Sequence, residues 1–200
     1  MFDNKQYALT PEGSAVQCLT RAPNLMRTAK PTLQKPHCCP NDLEILQAEA
    51  NQLRHELEPH FRSLRDRFQA SSEIEVSDTE TSSKSIYHTL RSCHYIRTYA
   101  LGLAIGIFAN EVRLALVTSY PPPSAISILM ESHGFATQIV DLANLARRYR
   151  PLGSSALPAC LVAAELGVGT VEVRAEARRL TGMYDGDLRG GDGKGRRGWG

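Results

Sequence analysis

The segment from Ile86 to Val117 constrains the fold of this chain more than any other. Apolar residues recur along it at steps of three and four, and the run Tyr99–Ala109 is apolar on every face. A helix of this kind normally has neighbours on several sides. With 11 residues, the run is about half as long as the ~20 residues that a bilayer-spanning helix needs. We therefore predict a long buried helix over about 86–117, at the centre of a helical bundle.

One side of this predicted helix has little side-chain bulk. Gly102, Gly106 and Ala109 follow one another at helical spacing. Each glycine costs about 1 kcal/mol of helix propensity relative to alanine. This cost indicates a packing reason, and we expect a neighbouring element to approach closely here.

A second amphipathic stripe precedes the central helix. Asn41 or Asp42 is suited to cap its start, and Pro59, inside the stripe, predicts a kink or two successive helices. The stripe consists of apolar residues at steps of three and four, which place them on one helix face. They are Leu46, Ala50, Leu53, Leu57, Phe61, Leu64 and Phe68.

The remainder of the pattern is also helical. Prolines at 121–123 end the central helix, and the pattern then predicts helices over about 124–150, 156–166 and 170–184. No repeat of fixed period is present. The predicted fold class is all-α, an irregular multi-helix bundle.

Three segments predict little order. Residues 1–40 contain five scattered prolines without a sustained apolar period, which predicts a disordered N-terminal arm. Residues 70–84 are polar, acidic and rich in Ser and Thr, which predicts a linker, and residues 185–200 form a Gly-rich tail. The predicted helical domain therefore spans 41–184 and is interrupted at 70–84.

Composition narrows the cellular setting and the class of partner. A formal charge of +2 gives no global attraction to nucleic acid or to an anionic membrane. Five cysteines without regular spacing are typical of thiols in a reducing compartment. The first residues lack the basic and apolar regions of a secretory signal. We expect a nuclear or cytoplasmic protein that is not secreted.

Two clusters contain residue types that bind metals. They are His37 with Cys38 and Cys39, and Cys93 with His94. A structural zinc site usually has two ligand pairs, each spaced to hold one ion, and neither cluster has that spacing. We interpret them as ordinary thiols and expect neither a metal nor a cofactor.

Catalytic motifs are not evident. Around Lys194 a phosphate loop would need a glycine where Leu188 stands and Ser or Thr where Gly195 stands. There is likewise no nucleophile elbow, dinucleotide fingerprint or paired-histidine zinc helix. We predict that the chain is not an enzyme.

Two small groups of residues are candidates for contact or modification. Arg147, Arg148 and Arg150 lie at the predicted C-terminal end of a helix, where cations stabilise the helix dipole; a phosphate or partner contact is the alternative. Ser72 and Ser77 each have Glu three places on, as an acid-directed kinase requires. A plain solvated linker is the other interpretation of that segment.

The tail offers a further basic group. It consists of four cations and one tryptophan around Asp192 in a flexible segment. One interpretation is a solvated terminus, and the other is weak, salt-sensitive binding to RNA or DNA. The residues are Arg189, Lys194, Arg196, Arg197 and Trp199.

Two stretches resemble a known family. HTLRSCHYIRTYALGLAIGIFANEVRLAL at 88–116 and ARRYRPLGSSALPACLVAAELG at 146–167 are similar to the distal, C-terminal regulatory region of fungal binuclear-zinc-cluster transcription factors. The shared features are an apolar helix that begins at Arg97 and Tyr99 and ends near Asn110, and a Tyr-Arg-Pro-Leu-Gly turn at 149–153 that opens another helix.

The resemblance implies a helical region that controls transcription through ligands or partners in the nucleus. The family binds DNA through a six-cysteine cluster that holds two zinc ions. This sequence cannot form that cluster, because its cysteines are too few and wrongly spaced, so direct DNA binding is not expected. The cysteines are Cys18, Cys38, Cys39, Cys93 and Cys160.

The sequence and the resemblance together predict a transcription-regulatory helical domain that acts through protein or ligand contacts, with another transcription factor as one expected kind of partner. The alternatives are a generic helical interaction module, a truncated relative without function, and weak nucleic-acid binding through the tail.

Overall fold

The computed structural model describes residues 11–34, 39–77, 82–117, 123–150, 155–167 and 169–190. Within these ranges the chain is all-α, as predicted. The helices are α1 (Pro11–Gln34), α2 (Pro40–Ser77), α3 (Ser82–Ala115), α4 (Pro123–Ala146), α5 (Leu157–Leu166) and α6 (Val171–Gly190), with a short 3-10 helix at Arg147–Tyr149 after α4.

Helix α3 is the centre of the bundle. It packs against α1, α2, α4 and α5, whereas α6 packs against α4 and α5. From Leu103 to Ile107 every residue of α3 is buried. The predicted central helix is therefore confirmed, and its apolar circumference is explained by four neighbours.

The N-terminal end of α3 is more exposed than its apolar period predicts. Ile86 and Leu90 are 62% and 49% exposed, so the apolar period continues beyond the part of α3 that its neighbours cover. Along α3, the first fully buried residues are Ser92 and Cys93.

Helix α2 contributes the stripe that its sequence predicts. The six stripe residues from Leu46 to Leu64 are buried, and Phe68 is partly buried against the same core. The helix continues through Pro59, which lies exposed. Because the exposed side faces solvent, the proline ring leaves the buried stripe intact.

Helix α1 lies within the segment for which we predicted a disordered arm. Its buried side consists of Cys18, Ala22, Leu25, Ala29 and Thr32, which are mostly small residues. Both internal prolines are exposed. The small side chains give a weak apolar period in the sequence, and packing against α2 and α3 offsets the cost of the prolines.

The helices also extend into the other segments predicted to be irregular. Helix α2 reaches Ser77 and α3 begins at Ser82, within the predicted linker at 70–84, and α6 reaches Gly190, within the predicted tail. Residues 78–81 and 191–200 lie outside the described part of the chain.

The close approach predicted at the glycines of α3 is made by two phenylalanines. A Cβ atom at Gly106 would lie 2.8 Å from Cε2 of Phe135 and 3.2 Å from Cζ of Phe61. At Gly102 it would lie 3.3 Å from Cε1 of Phe61. The glycines therefore let the rings from α2 and α4 reach the backbone of α3.

We predict that Gly106→Ala destabilises the protein by about 1–3 kcal/mol, because the added methyl group overpacks this junction. The matched control is Gly134→Ala, where, apart from the neighbouring backbone of α4 itself, no heavy atom of the described residues lies within 4 Å of the added Cβ. It should stabilise α4 by up to about 1 kcal/mol through helix propensity. Urea unfolding of both variants measures the difference, and equal stability would contradict this account of the junction.

Candidate functional site

An exposed group of three arginines follows the end of α4. We call Arg147, Arg148 and Arg150 the arginine turn. Arg147 and Arg148 lie in the 3-10 helix, and the backbone at Arg150 is extended. All three residues are exposed, whereas Tyr149 between them is buried. Tyr149 therefore anchors the turn, and its cations face solvent.

Two of the three guanidinium groups of the arginine turn lie over tyrosine rings. The Arg148 guanidinium lies 4.6 Å from the ring centre of Tyr149, and that of Arg150 lies 5.9 Å from the ring centre of Tyr184. At exposed positions such cation–π contacts contribute about 0.5–1 kcal/mol each. They restrict the side chains before any partner binds.

Tyr184 is a rigid support for this turn. Its side chain is fully buried, and its hydroxyl donates a 2.5 Å hydrogen bond to the carbonyl of Ala143 in α4. Burial raises the pKa of the Tyr184 phenol, against the opposing positive charges of Arg150 and Arg147. The phenol therefore stays protonated at neutral pH and ties α6 to α4.

The carboxylate of Glu176, which feels the charge of Arg147, has its own hydrogen-bond donors. Glu176 of α6 accepts bonds from Nε and Nη2 of Arg179, both at 2.7 Å, and from Nδ2 of Asn144 at 3.3 Å. The bond from Arg179 is the main reason that the pKa of Glu176 falls to about 2, and Arg147 adds a smaller charge effect. Glu176 is thus ionised and bonded to Arg179 and Asn144.

A second site, which we call the ion-pair cluster, joins α2, α3 and α4. Arg54 donates from Nε to Oε2 of Glu131 at 3.0 Å and from Nη2 to Oε1 of the same carboxylate. Asn110 donates to Oε2 of Glu131 at 2.8 Å and accepts from Arg113 at 2.9 Å. The Arg54 side chain is only 12% exposed. One carboxylate on α4 therefore connects all three helices.

The phenylalanines at the glycines of α3 also contact Arg54. Its guanidinium lies 5.1 Å from the Phe61 ring centre and 5.3 Å from that of Phe135. The two ring centres are 5.1 Å apart, with an interplanar angle of 56°. The cation is thus held by aromatic rings and by a carboxylate together.

The charges of the ion-pair cluster determine the protonation states of Glu131 and Arg54. Burial by itself would raise the pKa of Glu131, but hydrogen bonds from Arg54 and Asn110 and the charges of Arg54 and Arg113 lower it overall. The pKa of Arg54 is raised despite burial, because Glu131 and Glu58 favour its charged form. Glu131 is therefore held as a carboxylate, which suits it to fasten helices and not to take up a proton at neutral pH.

Sequence reasoning missed this cluster. Arg54 and Glu131 are 77 residues apart in the chain, and Arg54 stands on a helix that carries many other charges. A hydrogen bond of 2.6 Å from Tyr99 to Gln138 joins α3 and α4 in the same region. Only the register of the helices brings these groups together.

The remaining predicted residues are placed as follows. Ser72 and Ser77 lie in the last turns of α2, with side chains outside the described set. Cys93 is buried and His94 is exposed. Cys39 is exposed, while His37 and Cys38 are outside the described residues. Among the described residues there is no group of three or more His, Cys, Asp or Glu arranged to hold a metal ion.

Several other parts of the chain bear on its function. The turn at 151–153 and the tail residues from 191 onward lie outside the described part, whereas Arg189 belongs to α6. None of the helices in the described residues is long and apolar enough to span a bilayer. Burial raises the pKa of the Cys160 thiol to about 12, so this thiol is protonated and unreactive at neutral pH.

Comparisons of this chain with protein-family models, curated proteins and solved structures gave no match.

We predict that Glu131→Gln lowers the free energy of unfolding by about 1–3 kcal/mol at pH 7, because Arg54 loses one of its two ionic partners and keeps only Glu58. The folded-state pKa of Glu131 lies below its ordinary value of 4.5. Its contribution is therefore present above that pH and is lost as the pH falls through the lower folded-state value. Urea unfolding between neutral and acid pH measures both effects.

The control for this experiment is Glu165→Gln, which removes a carboxylate from an exposed ion pair with Arg178. Exposed pairs contribute less than about 1 kcal/mol, so this variant should unfold almost like the wild type. If Glu131→Gln behaves in the same way, the ion-pair cluster does not fasten the helices.

Proposed function

We propose that this chain is a regulatory helical module that works by binding another protein and has no catalytic activity of its own. The arginine turn is its contact surface. The observation that carries the proposal is that three exposed cations stand on a rigid support, with two of them stacked on tyrosine rings. Preorganised side chains lose less conformational entropy when a partner binds.

The arrangement of charge favours a partner that presents carboxylates or phosphates. Arginine binds such groups through a planar fork of donors, and all three arginines of the turn are exposed. The same cations also stabilise the C-terminal end of the helix dipole of α4. This structural role is compatible with a contact role, because the side chains remain exposed.

The regulatory part of the proposal rests on the resemblance to fungal binuclear-zinc-cluster factors. The two similar stretches, 88–116 and 146–167, include most of α3, all of α5 and the arginine turn. In those factors the corresponding region controls activity, and a separate module reads DNA. We accordingly propose that this chain acts in the nucleus on a transcription factor that supplies the DNA-reading module.

The alternatives make different predictions. A generic interaction module would bind a partner other than a DNA-bound factor, and a truncated relative without function would bind none. Binding of nucleic acid through the tail would depend on residues 191–200 and not on the arginine turn.

The test is chromatin fractionation of the tagged full-length chain in its native cells, followed by identification of co-purifying proteins. We expect nuclear retention with a DNA-bound factor. Replacing the three arginines of the turn by Gln should weaken recovery of that factor at least about tenfold, which corresponds to about 1.4 kcal/mol of binding free energy. Circular dichroism checks that the variant is folded.

The matched control replaces Arg62, Arg65 and Arg67 by Gln, since these three arginines are also exposed but lie on α2. It should retain the factor at the wild-type level. Recovery of no DNA-bound factor, or equal losses in both triple variants, would refute the proposal.

A further inference from the structure

The outward side of α5 is unusual for a surface helix. Of its ten residues only Glu165 is charged. One side is buried against the bundle, yet Val162 and Leu166, one turn apart on the other side, are 42% and 69% exposed. A helix that is apolar on all sides is normally covered on all sides. This helix lacks a neighbour on its outward side among the described residues.

The start of α6 adds a third exposed apolar side chain, five places after Leu166. Helices α5 and α6 pack together as a hairpin, and Val171, the first residue of α6, is 78% exposed. We call Val162, Leu166 and Val171 the hairpin face. An apolar surface with a polar rim is typical of a protein interaction site.

Two arginines form the rim of the hairpin face. Arg178 donates to the Glu165 carboxylate from Nε at 2.9 Å and from Nη2 at 2.5 Å, which spans the hairpin. Arg174, which follows Val171 by three places, donates to the carbonyl of Gly169 at 3.1 Å. Glu172 lies instead on the side of Glu176, by helical spacing. The rim therefore has two cations and one carboxylate.

The bundle holds this face in place. Helix α5 packs against α3 and α4, and a Cβ atom at Gly167 would lie 2.9 Å from Cγ2 of Ile107 in α3. Only glycine therefore allows the end of α5 to come so close to the central helix. The hairpin is presented as a fixed surface, so little ordering is needed when a partner binds.

We propose that the hairpin face binds an acidic amphipathic helix of a partner protein. Apolar residues at helical spacing on the partner would cover Val162, Leu166 and Val171, a common way in which helices dock on apolar surfaces. Carboxylates beside them would meet Arg174 and Arg178. Because Glu165 is bonded to Arg178, the two arginines leave the rim one net positive charge, which favours an acidic helix over a basic one. This inference goes beyond the proposed function, because it concerns a different surface from the arginine turn and names the partner's chemistry.

The test uses the purified full-length chain and a synthetic fluorescent peptide of about 18 residues, long enough to form a helix when it binds. The peptide has Leu at positions one turn apart, flanked by Glu. A second peptide has Lys in place of each Glu. Fluorescence anisotropy should show that the acidic peptide binds at least about tenfold more tightly than the basic one. Added salt should reduce this preference.

Variants assign the binding to the face. Val162→Gln with Leu166→Gln should weaken binding of the acidic peptide at least about tenfold, since central apolar contacts dominate such interfaces. Arg174→Gln with Arg178→Gln should remove most of the preference for the acidic peptide. The control is Ile126→Gln with Met130→Gln, an apolar pair on α4 with the same spacing, 54% and 71% exposed. It should bind like the wild type.

Several outcomes would overturn the proposal. These are no binding of the acidic peptide up to about 1 mM, equal binding of both peptides, or equal losses in the face variant and its α4 control. Sedimentation equilibrium tests whether a second copy of the chain covers the face instead. A wild-type dimer that dissociates in the face variant would show this and overturn the proposal. Thermal unfolding confirms that each variant is folded, so a loss of binding is not a loss of structure.

Discussion

Burial of the apolar segment of α3 is the constraint on which the rest of the structure depends. From Leu103 to Ile107 no side of this helix is free for solvent, so neighbours have to cover it on every side. The stripe of α2, the inner sides of α4 and α5, and the small-residue side of α1 provide that cover. Loss of one neighbour would expose apolar surface at the centre of the molecule, which makes the packing of these helices interdependent.

Tight packing and charge pairing meet at one place in this bundle. The glycines of α3 let Phe61 and Phe135 approach its backbone, and Arg54 lies over both rings while it binds Glu131. A partly buried cation has to be satisfied, because removing a hydrogen-bonded carboxylate partner from it costs about 1–3 kcal/mol. The ion pair consequently favours one arrangement of α2 against α4. Apolar packing drives association of the helices, and the ion-pair cluster selects their register.

The surfaces proposed for function lie away from this junction. The arginine turn follows α4, and the hairpin face belongs to α5 and α6, which pack against each other and against α4. Both surfaces consist of exposed side chains on supports that are buried: Tyr149 and Tyr184 in one case, and the inner side of α5 in the other. Exposed side chains on a rigid base can meet a partner without a large loss of entropy. This common feature connects the fold to the proposed regulatory role.

The sequence by itself determined the helical class, the stripe from Leu46 to Leu64 and the central position of α3, because periodicity and polarity depend on local spacing alone. It did not reveal α1, whose small buried residues give a weak period, or the full extent of the helices into the predicted linker and tail. Only the tertiary structure decided that Arg54 meets Glu131, that Ile86 and Leu90 remain exposed, and that one side of α5 lacks cover in the described structure. The physical reason is that spacing shows which side of a helix is apolar, whereas the partner of that side depends on the register and length of distant helices.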